Sequence, residues 1–422
     1  MPALPRAPER CYDPPLMRST KPPIWLLMSV TVASQLALTI FLPAMPALAR
    51  HFDVAYGTAQ LTLSVYLFAF AFAQLAVGPL SDRRGRRPVL LGSLALFAIG
   101  SAGCALSPTI ETLIAARLVQ ACGACGGVVL GRAIVRDSRS GPEAPRAMGY
   151  MASAMALAPA LAPLLGGQLL GHFGWRSNFW FTSGVALAML AAVWHLLAET
   201  APKAAARATA AAGADRGAGL VRDYLDGFRV VVRERRFVGL MIAATCASSG
   251  FNVFFAGGPI LLIRTMGVAA ELFGWFTLAW AGNFVIGSLV SSRLQGRVRS
   301  LLLIPVGQAI LTAGALAMIA TALLGYVTPL ALVVPLMLMG WGNGLNMPNA
   351  MANALISVPA NRVGAASALL GFVQMVAAAL LTLLIGYVPH ETQLNIGLGV
   401  AATGIVGLAG WWLLVRRPRG QG

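Results

Sequence analysis

Gly78-Pro79-Leu80-Ser81-Asp82-Arg83-Arg84-Gly85-Arg86-Arg87-Pro88 sets five charges between two long apolar runs. Charge at that density is too costly to leave in hydrocarbon, so the stretch belongs at a membrane face as a short, tight loop joining two spans. Its four arginines assign that face to the cytoplasm. Gly78 and Gly85 are expected to permit the turn and a close helix approach. An ordinary basic loop would explain the arginines, but neither the embedded Asp82 nor the glycine spacing.

The composition on either side agrees. With 422 residues, 58% hydrophobic and 11% charged, the chain is excluded from the soluble globular class and reads as a polytopic membrane protein. Apolar segments bounded by charges or Gly/Pro begin near Ile24, Ala59, Pro88, Thr112, Met148, Asn178, Phe237, Glu271, Leu301, Thr328, Val363 and Gln393, which predicts an all-α protein of twelve spans. A net charge of +17 would suit nucleic acid, but the basic residues lie in short clusters between spans, so no nucleic-acid partner is expected. Of the 31 Lys+Arg, only Arg50, Arg176 and Arg264 fall in loops on the other side, and only Arg117 and Arg132 fall within a span. Both termini are therefore expected in the cytoplasm. The five cysteines are odd in number and lie mostly in apolar runs, which implies no disulfide framework. Residues 1–23 have no apolar core or cleavage site of their own and read as a cytoplasmic tail, not a signal peptide.

From Glu199 to Arg236 the composition shifts to Ala, Arg, Asp and Gly, including the run Ala204 to Ala214. This linker, 199–236, separates a six-helix bundle at 24–198 from a second at 237–415, and a short tail, 416–422, follows. Leu220, Tyr224, Phe228 and Val231 recur at helical spacing, which suits a helix on the membrane surface or a solvated linker helix. Gly287, Arg293, Gly296 and Arg297, between spans 8 and 9, form a degenerate copy of the 78–88 stretch without its Asp, so two parallel halves around a central cavity are expected.

Within the spans, Arg117 lies more than a turn from either end of span 4. It should face the bundle interior or a water-filled cavity, unless it snorkels to the interface. Cys122-Gly-Ala-Cys125 imitates a redox motif but sits in a membrane helix without βαβ context, so packing is expected there. Pro159 and Pro163, followed by Gly166 and Gly167, should interrupt the helical ladder of span 5 and let it bend. Polar and aromatic positions at helical spacing are candidates for the cavity wall: Gln35 and Thr39 in span 1, Tyr66 in span 2, Asn252 and Phe255 in span 7, Asn346 in span 10 and Gln374 in span 11. Interhelical hydrogen bonding explains any one of them equally well. None of the four histidines lies mid-span.

The pattern G-x-L-S-D-R-x-G-R-R resembles the signature loop between helices 2 and 3 of major facilitator superfamily transporters. Arg117-Leu-Val-Gln120-Ala121 resembles the R-x-x-Q-G motif of drug/proton antiporters in that superfamily, with Ala121 in place of glycine. The stretch from Pro159 to Gly167 resembles their G-P-x-x-G-G motif, with Ala162 replacing the glycine before Pro163. Phe41 to Pro46, Gln120 to Ala124, Ala133 to Asp137 and Ala366 to Gln374 are similar to the bicyclomycin- and chloramphenicol-resistance exporters, a likeness covering residues 24–415.

The resemblance implies a twelve-helix exporter of small drugs in exchange for protons, monomeric in the bacterial inner membrane, with no cofactor or metal. Gly78, Asp82, Arg83, Gly85, Arg86 and Arg87 would then form a gating loop. In it Asp82 would favour the N-terminal end of span 11, near Arg362 to Ala365, while the arginines pair with Asp137. Arg117, Gln120, Arg132 and Asp137 would serve the cavity or the coupling. An exporter or importer of an endogenous metabolite is the alternative. A receptor or membrane-embedded enzyme is a different class, and an enzyme would need intramembrane acids or a nucleophile-base pair that the sequence lacks. All fourteen acids fall in loops, tails or span ends, and Thr39 stands where related exporters usually carry an aspartate. The cavity is thus expected to be positive and to favour neutral or anionic substrates, with any proton coupling through Asp137 or Glu111.

Overall fold

The computed structural model describes residues 21–139, 141, 143–200, 227–295, 297–359, 362–389 and 391–416. Among them are twelve helices long and apolar enough to cross a membrane. Spans 1 to 6 are Ile24–His51, Tyr56–Arg84, Arg86–Leu106, Ile110–Ser138, Arg146–Phe173 and Arg176–Leu196. Spans 7 to 12 are Arg235–Thr265, Ala270–Leu294, Ser300–Leu323, Pro329–Ile356, Val363–Gly386 and Leu394–Arg416. The helix containing span 5 begins at Glu143, five residues before the expected Met148, the largest such offset. The expectations for residues 1–20, the run 204–214, Leu220, Tyr224, Gly296 and the tail from 417 lie outside the described residues.

Prolines shape spans 1 and 7. Pro43 and Pro46 lack an N–H, and span 1 passes from helix Ile24–Thr39 through a 3-10 turn, Leu42–Ala44, into a short helix, Met45–His51. In span 7 Pro259 precedes a π-helical turn, Ile260–Thr265, and the Ile260 N–H bonds to Gly257 O. Ala256 O is thereby left for another donor. Span 4 runs between spans 1 and 3 on a stripe of small residues, where a side chain at Gly123 would collide with the Phe97 backbone. Cys122 and Cys125 are unbridged thiols on that helix.

Three expectations need correction. The expected short, tight loop over 78–88 shrinks to one residue: helix Tyr56–Arg84, about 44 Å long at 1.5 Å per residue, carries Asp82, Arg83 and Arg84 past a hydrocarbon core of about 30 Å. Helix resumes at Arg86, and the one-residue break at Gly85 has φ +96° and ψ 152°. That conformation is essentially restricted to glycine. Gly78, in contrast, lies in the helix with nothing within 4 Å of where a Cβ would stand, so it mediates no close helix approach. Pro159 and Pro163 each remove one donor from the ladder but do not break the helix, because both sit inside the continuous helix Glu143–Phe173.

The halves meet through spans 2 and 11 and through spans 5 and 8. On the face opposite the 78–88 stretch, the short helix of span 1 lies against the π-turn of span 7, its counterpart in the second half. Residues 227–233 are helical, with Val231 buried in the cluster that holds Phe237 and Leu240 at the start of span 7.

Candidate functional site

At the basic face, Asp82, Arg86 and Arg87 of the stretch 78–88 find partners within their own half. Asp82 Oδ1 stands 2.6 Å from Arg86 Nη1, four residues on across the Gly85 break, and the Asp82 side chain is 54% exposed. It does not dock on the N-terminus of span 11, contrary to the expectation from the resemblance. Arg86 is buried: its Nε donates to Asp137 Oδ2 at 2.8 Å and its Nη1 to Ser81 Oγ at 2.5 Å. Arg83 is exposed, and Arg87 Nη2 donates to Trp194 O at 2.8 Å. Sequence reading missed Glu199. Its carboxylate accepts from the backbone N–H groups of Arg86 at 2.9 Å and Arg87 at 3.2 Å, capping the first turn of span 3. A Cβ at Gly85 would come within 2.5 Å of Glu199 Oε2, so the glycine serves both the turn and the cap.

Deep in the first half, Arg117 is fully buried and does not snorkel. Its guanidinium lies 4.1 Å from the ring centroids of both Phe41 and Tyr66. Nε donates to Thr62 O at 3.2 Å, and Nη1 donates to Ala37 O at 3.0 Å and to Gln120 Oε1 at 2.5 Å. Gln120 is held in turn by Ser101 Oγ, 2.8 Å from its Nε2. Three spans thus converge on one cation, and among the described residues no carboxylate pairs with it. Arg117 Nη2, Tyr66 Oη and Thr39 Oγ1 are buried without hydrogen-bond partners. Arg117 therefore sits behind the cavity wall instead of lining open space. Arg132 lies about 22 Å further along the helix, half-buried, with its Nε on Val128 O at 3.3 Å.

Between the halves, Gln35, Tyr66, Phe70 and Met375 enclose a cavity of about 10 Å³. Towards the opposite face the seam is closed at backbone level. Tyr56 Oη donates to Ala256 O at 2.8 Å, Thr277 Oγ1 donates to Ala160 O at 3.1 Å, and a Cβ at Gly167 would be 2.5 Å from Ala270 O. Gly166 meets Ile40 O of its own half even more closely. Gln60, Ser64, Gln374 and Thr382, all buried on spans 2 and 11, keep polar atoms without partners. Of these, sequence reading singled out only Gln374.

In the second half the candidates divide. Asn346 does not face the cavity: it is fully buried and donates to Gln308 Oε1 of span 9. Asn252 is half-buried and donates to Ser248 O, one turn back, at 2.9 Å. Phe255 is buried, 3.8 Å from Phe251, which stacks on Trp280 at 3.7 Å with the rings 14° from parallel. Phe284 extends the stack. Its members lie on spans 7 and 8, a grouping that spacing along either helix alone could not reveal.

The sequence model of the Major Facilitator Superfamily matches residues 27–382. The chain is 32% identical over 324 residues to a chloramphenicol resistance protein of Pseudomonas aeruginosa, covering 76% of this chain and 73% of that one. It is 26% identical to a bicyclomycin resistance protein homolog of Haemophilus influenzae over 95% of this chain and 98% of that one. The crystal structure of a D-xylose-proton symporter superposes with a TM-score of 0.73 at 15% identity, covering 93% and 96%. A family match over most of the chain, on a fold of twelve helices in two bundles, makes this protein a transporter of the Major Facilitator Superfamily, not an enzyme.

Proposed function

We propose that the protein exports small, neutral or anionic drug-like molecules across the bacterial inner membrane by alternating access coupled to protons. The carrying observation is Arg117, a desolvated cation at the meeting of three spans with no carboxylate partner among the described residues. A permanent cation bound beside it would meet repulsion that low dielectric amplifies, whereas a neutral polar or anionic solute would not. The names of the chloramphenicol and bicyclomycin resistance relatives support neutral drug-like cargo. The clustered arginines support a cytoplasmic basic face with both termini on that side.

Asp137 suits the coupling role better than Glu111. Its side chain is 10% exposed and bonded to Arg86, so taking up a proton there would release the arginine that ties spans 2, 3 and 4 together. Glu111 is exposed at the other end of span 4. The test is expression in an efflux-deficient host challenged with phenicols, organic anions, ethidium and tetraphenylphosphonium. Resistance to the first two classes without protection from the cations is expected. Robust ethidium or tetraphenylphosphonium efflux would overturn the charge argument, and protection from no compound would favour an endogenous metabolite.

A further inference from the structure

Away from the seam, a lateral cavity of about 320 Å³ opens on the flank of the first half. Met28, Val32 and Leu36 of span 1, Ala154 of span 5, and Val185 and Met189 of span 6 line it, and apart from Ser29 its wall is apolar. It exists because span 6 packs chiefly on span 3 and diverges from span 5, uncovering one stripe of span 1. From Met28 to Leu36 the groove runs about 12 Å along the helix, near the roughly 15 Å depth of one hydrocarbon leaflet.

Two features mark its mouth. Trp25 continues the lining stripe of span 1 and is 54% exposed, as an interfacial aromatic should be. On span 5, Arg146, Tyr150 and Ala154 share one stripe at four-residue spacing, with Arg146 Nε donating to Tyr150 Oη at 3.0 Å. Arg146 and Tyr150 are both exposed, and no carboxylate among the described residues pairs with the guanidinium. The neighbouring Lys21 is already engaged by Glu143 at 2.7 Å, a pairing that holds the Glu143 carboxyl below the usual carboxylate range. Arg146 thus stands about 12 Å from the depth of Ala154, where the phosphate of a lipid with its chain in the groove would lie.

We infer that this groove binds one anionic phospholipid of the basic-face leaflet, an acyl chain between spans 1, 5 and 6 and the headgroup phosphate on Arg146 and Tyr150. The site is separate from the central seam and touches the two spans that carry Gln35 and the Pro159 to Gly167 stretch, so occupancy would bias how span 5 moves against span 1.

The test uses the purified full-length chain, delipidated and titrated with phosphatidylglycerol or phosphatidylethanolamine, bound lipid being counted by native mass spectrometry. The wild type should retain one phosphatidylglycerol at least about fivefold in preference to phosphatidylethanolamine. Arg146→Gln should abolish the preference but keep the lipid, and Val32→Trp, filling the groove, should release it. Val185→Trp fills the groove from the opposite wall and serves if the first filling variant does not fold. Equal retention of the two lipids by the wild type, or wild-type stoichiometry in a folded groove-filling variant, would overturn the assignment, as would displacement of the lipid by a transported drug.

Discussion

Replacing Arg117 by Met removes the charge while keeping a long, unbranched side chain. The cation makes three hydrogen bonds and lies between two rings at 4.1 Å. Hydrogen bonds to a charged group contribute about 1.5–3 kcal/mol each, and a desolvated ring face about 2 kcal/mol. Against this stands a desolvation penalty of several kcal/mol for an unpaired ion, which the variant also removes. What remains is Ala37 O, in the last turn of the first helix of span 1, without a donor, and Gln120 Oε1 with only the Cys104 thiol at 3.9 Å, at about 1–3 kcal/mol each, while Thr62 O keeps its helical ladder bond. Arg117→Met should therefore fold, with an unfolding temperature lowered by only several degrees, yet transport should fall at least about tenfold if the charge serves the cargo. Arg117→Lys should recover only part of the activity, because an ammonium reproduces neither the in-plane fork nor the stacked guanidinium. The assay is uptake into inverted vesicles alongside thermal unfolding of the purified variants. Wild-type transport by the Met variant would refute the cargo role, and collapse of the fold would show that the cation is structural.

Gly166→Ala should reduce folded yield sharply, since its Cβ would collide with Ile40 O and no side chain can move aside; Gly184→Ala, into open space, should be neutral and serves as the control. Glu199→Ala should cost about 1 kcal/mol by uncapping span 3, measurable as a lowered unfolding temperature that Glu199→Gln partly restores. Asp82→Asn weakens a pair across the Gly85 break whose carboxylate is exposed, and Arg86 keeps Asp137 and Ser81, so folding should be kept; loss of transport would then assign Asp82 to a conformation in which it leaves Arg86. Thr39→Asp places a carboxylate in the arginine's half and should extend transport towards cations and steepen its pH dependence, read by ethidium efflux across pH 6 to 8.

Hydropathy and charge placed the spans because each is long enough to cross hydrocarbon and bounded by residues that cannot enter it. What they could not do was orient a face. Asn346 was grouped with cavity residues from its spacing on span 10, but the direction of that face depends on Gln308 in span 9, 38 residues away. Glu199 was invisible for a similar reason: its role as a cap exists only because spans 3 and 6 bring residues 86 and 199 together. Arg117 was legible because a charge in hydrocarbon has few places to go. The helical course of residues 78–84 was misread because charge in the sequence signals the end of hydrocarbon, which is not the end of the helix.

The seam between the halves shows how such a protein can sit near balance between two states. Tight contacts at Tyr56, Gly167 and Thr277 favour the closed arrangement of the face opposite the arginines. Along the same seam, Gln60, Ser64, Gln374 and Thr382 hold buried polar atoms without partners, at about 1–3 kcal/mol each. Opening would cost the direct hydrogen bonds and the packed apolar area, but would return those groups to water and recover most of that penalty. Under the proposed alternating access the two terms oppose each other, which reduces the differential affinity a solute must supply to reverse the preference. A fully apolar seam would lock shut. Under the proposed alternating access, its unsatisfied polar residues would favour separation.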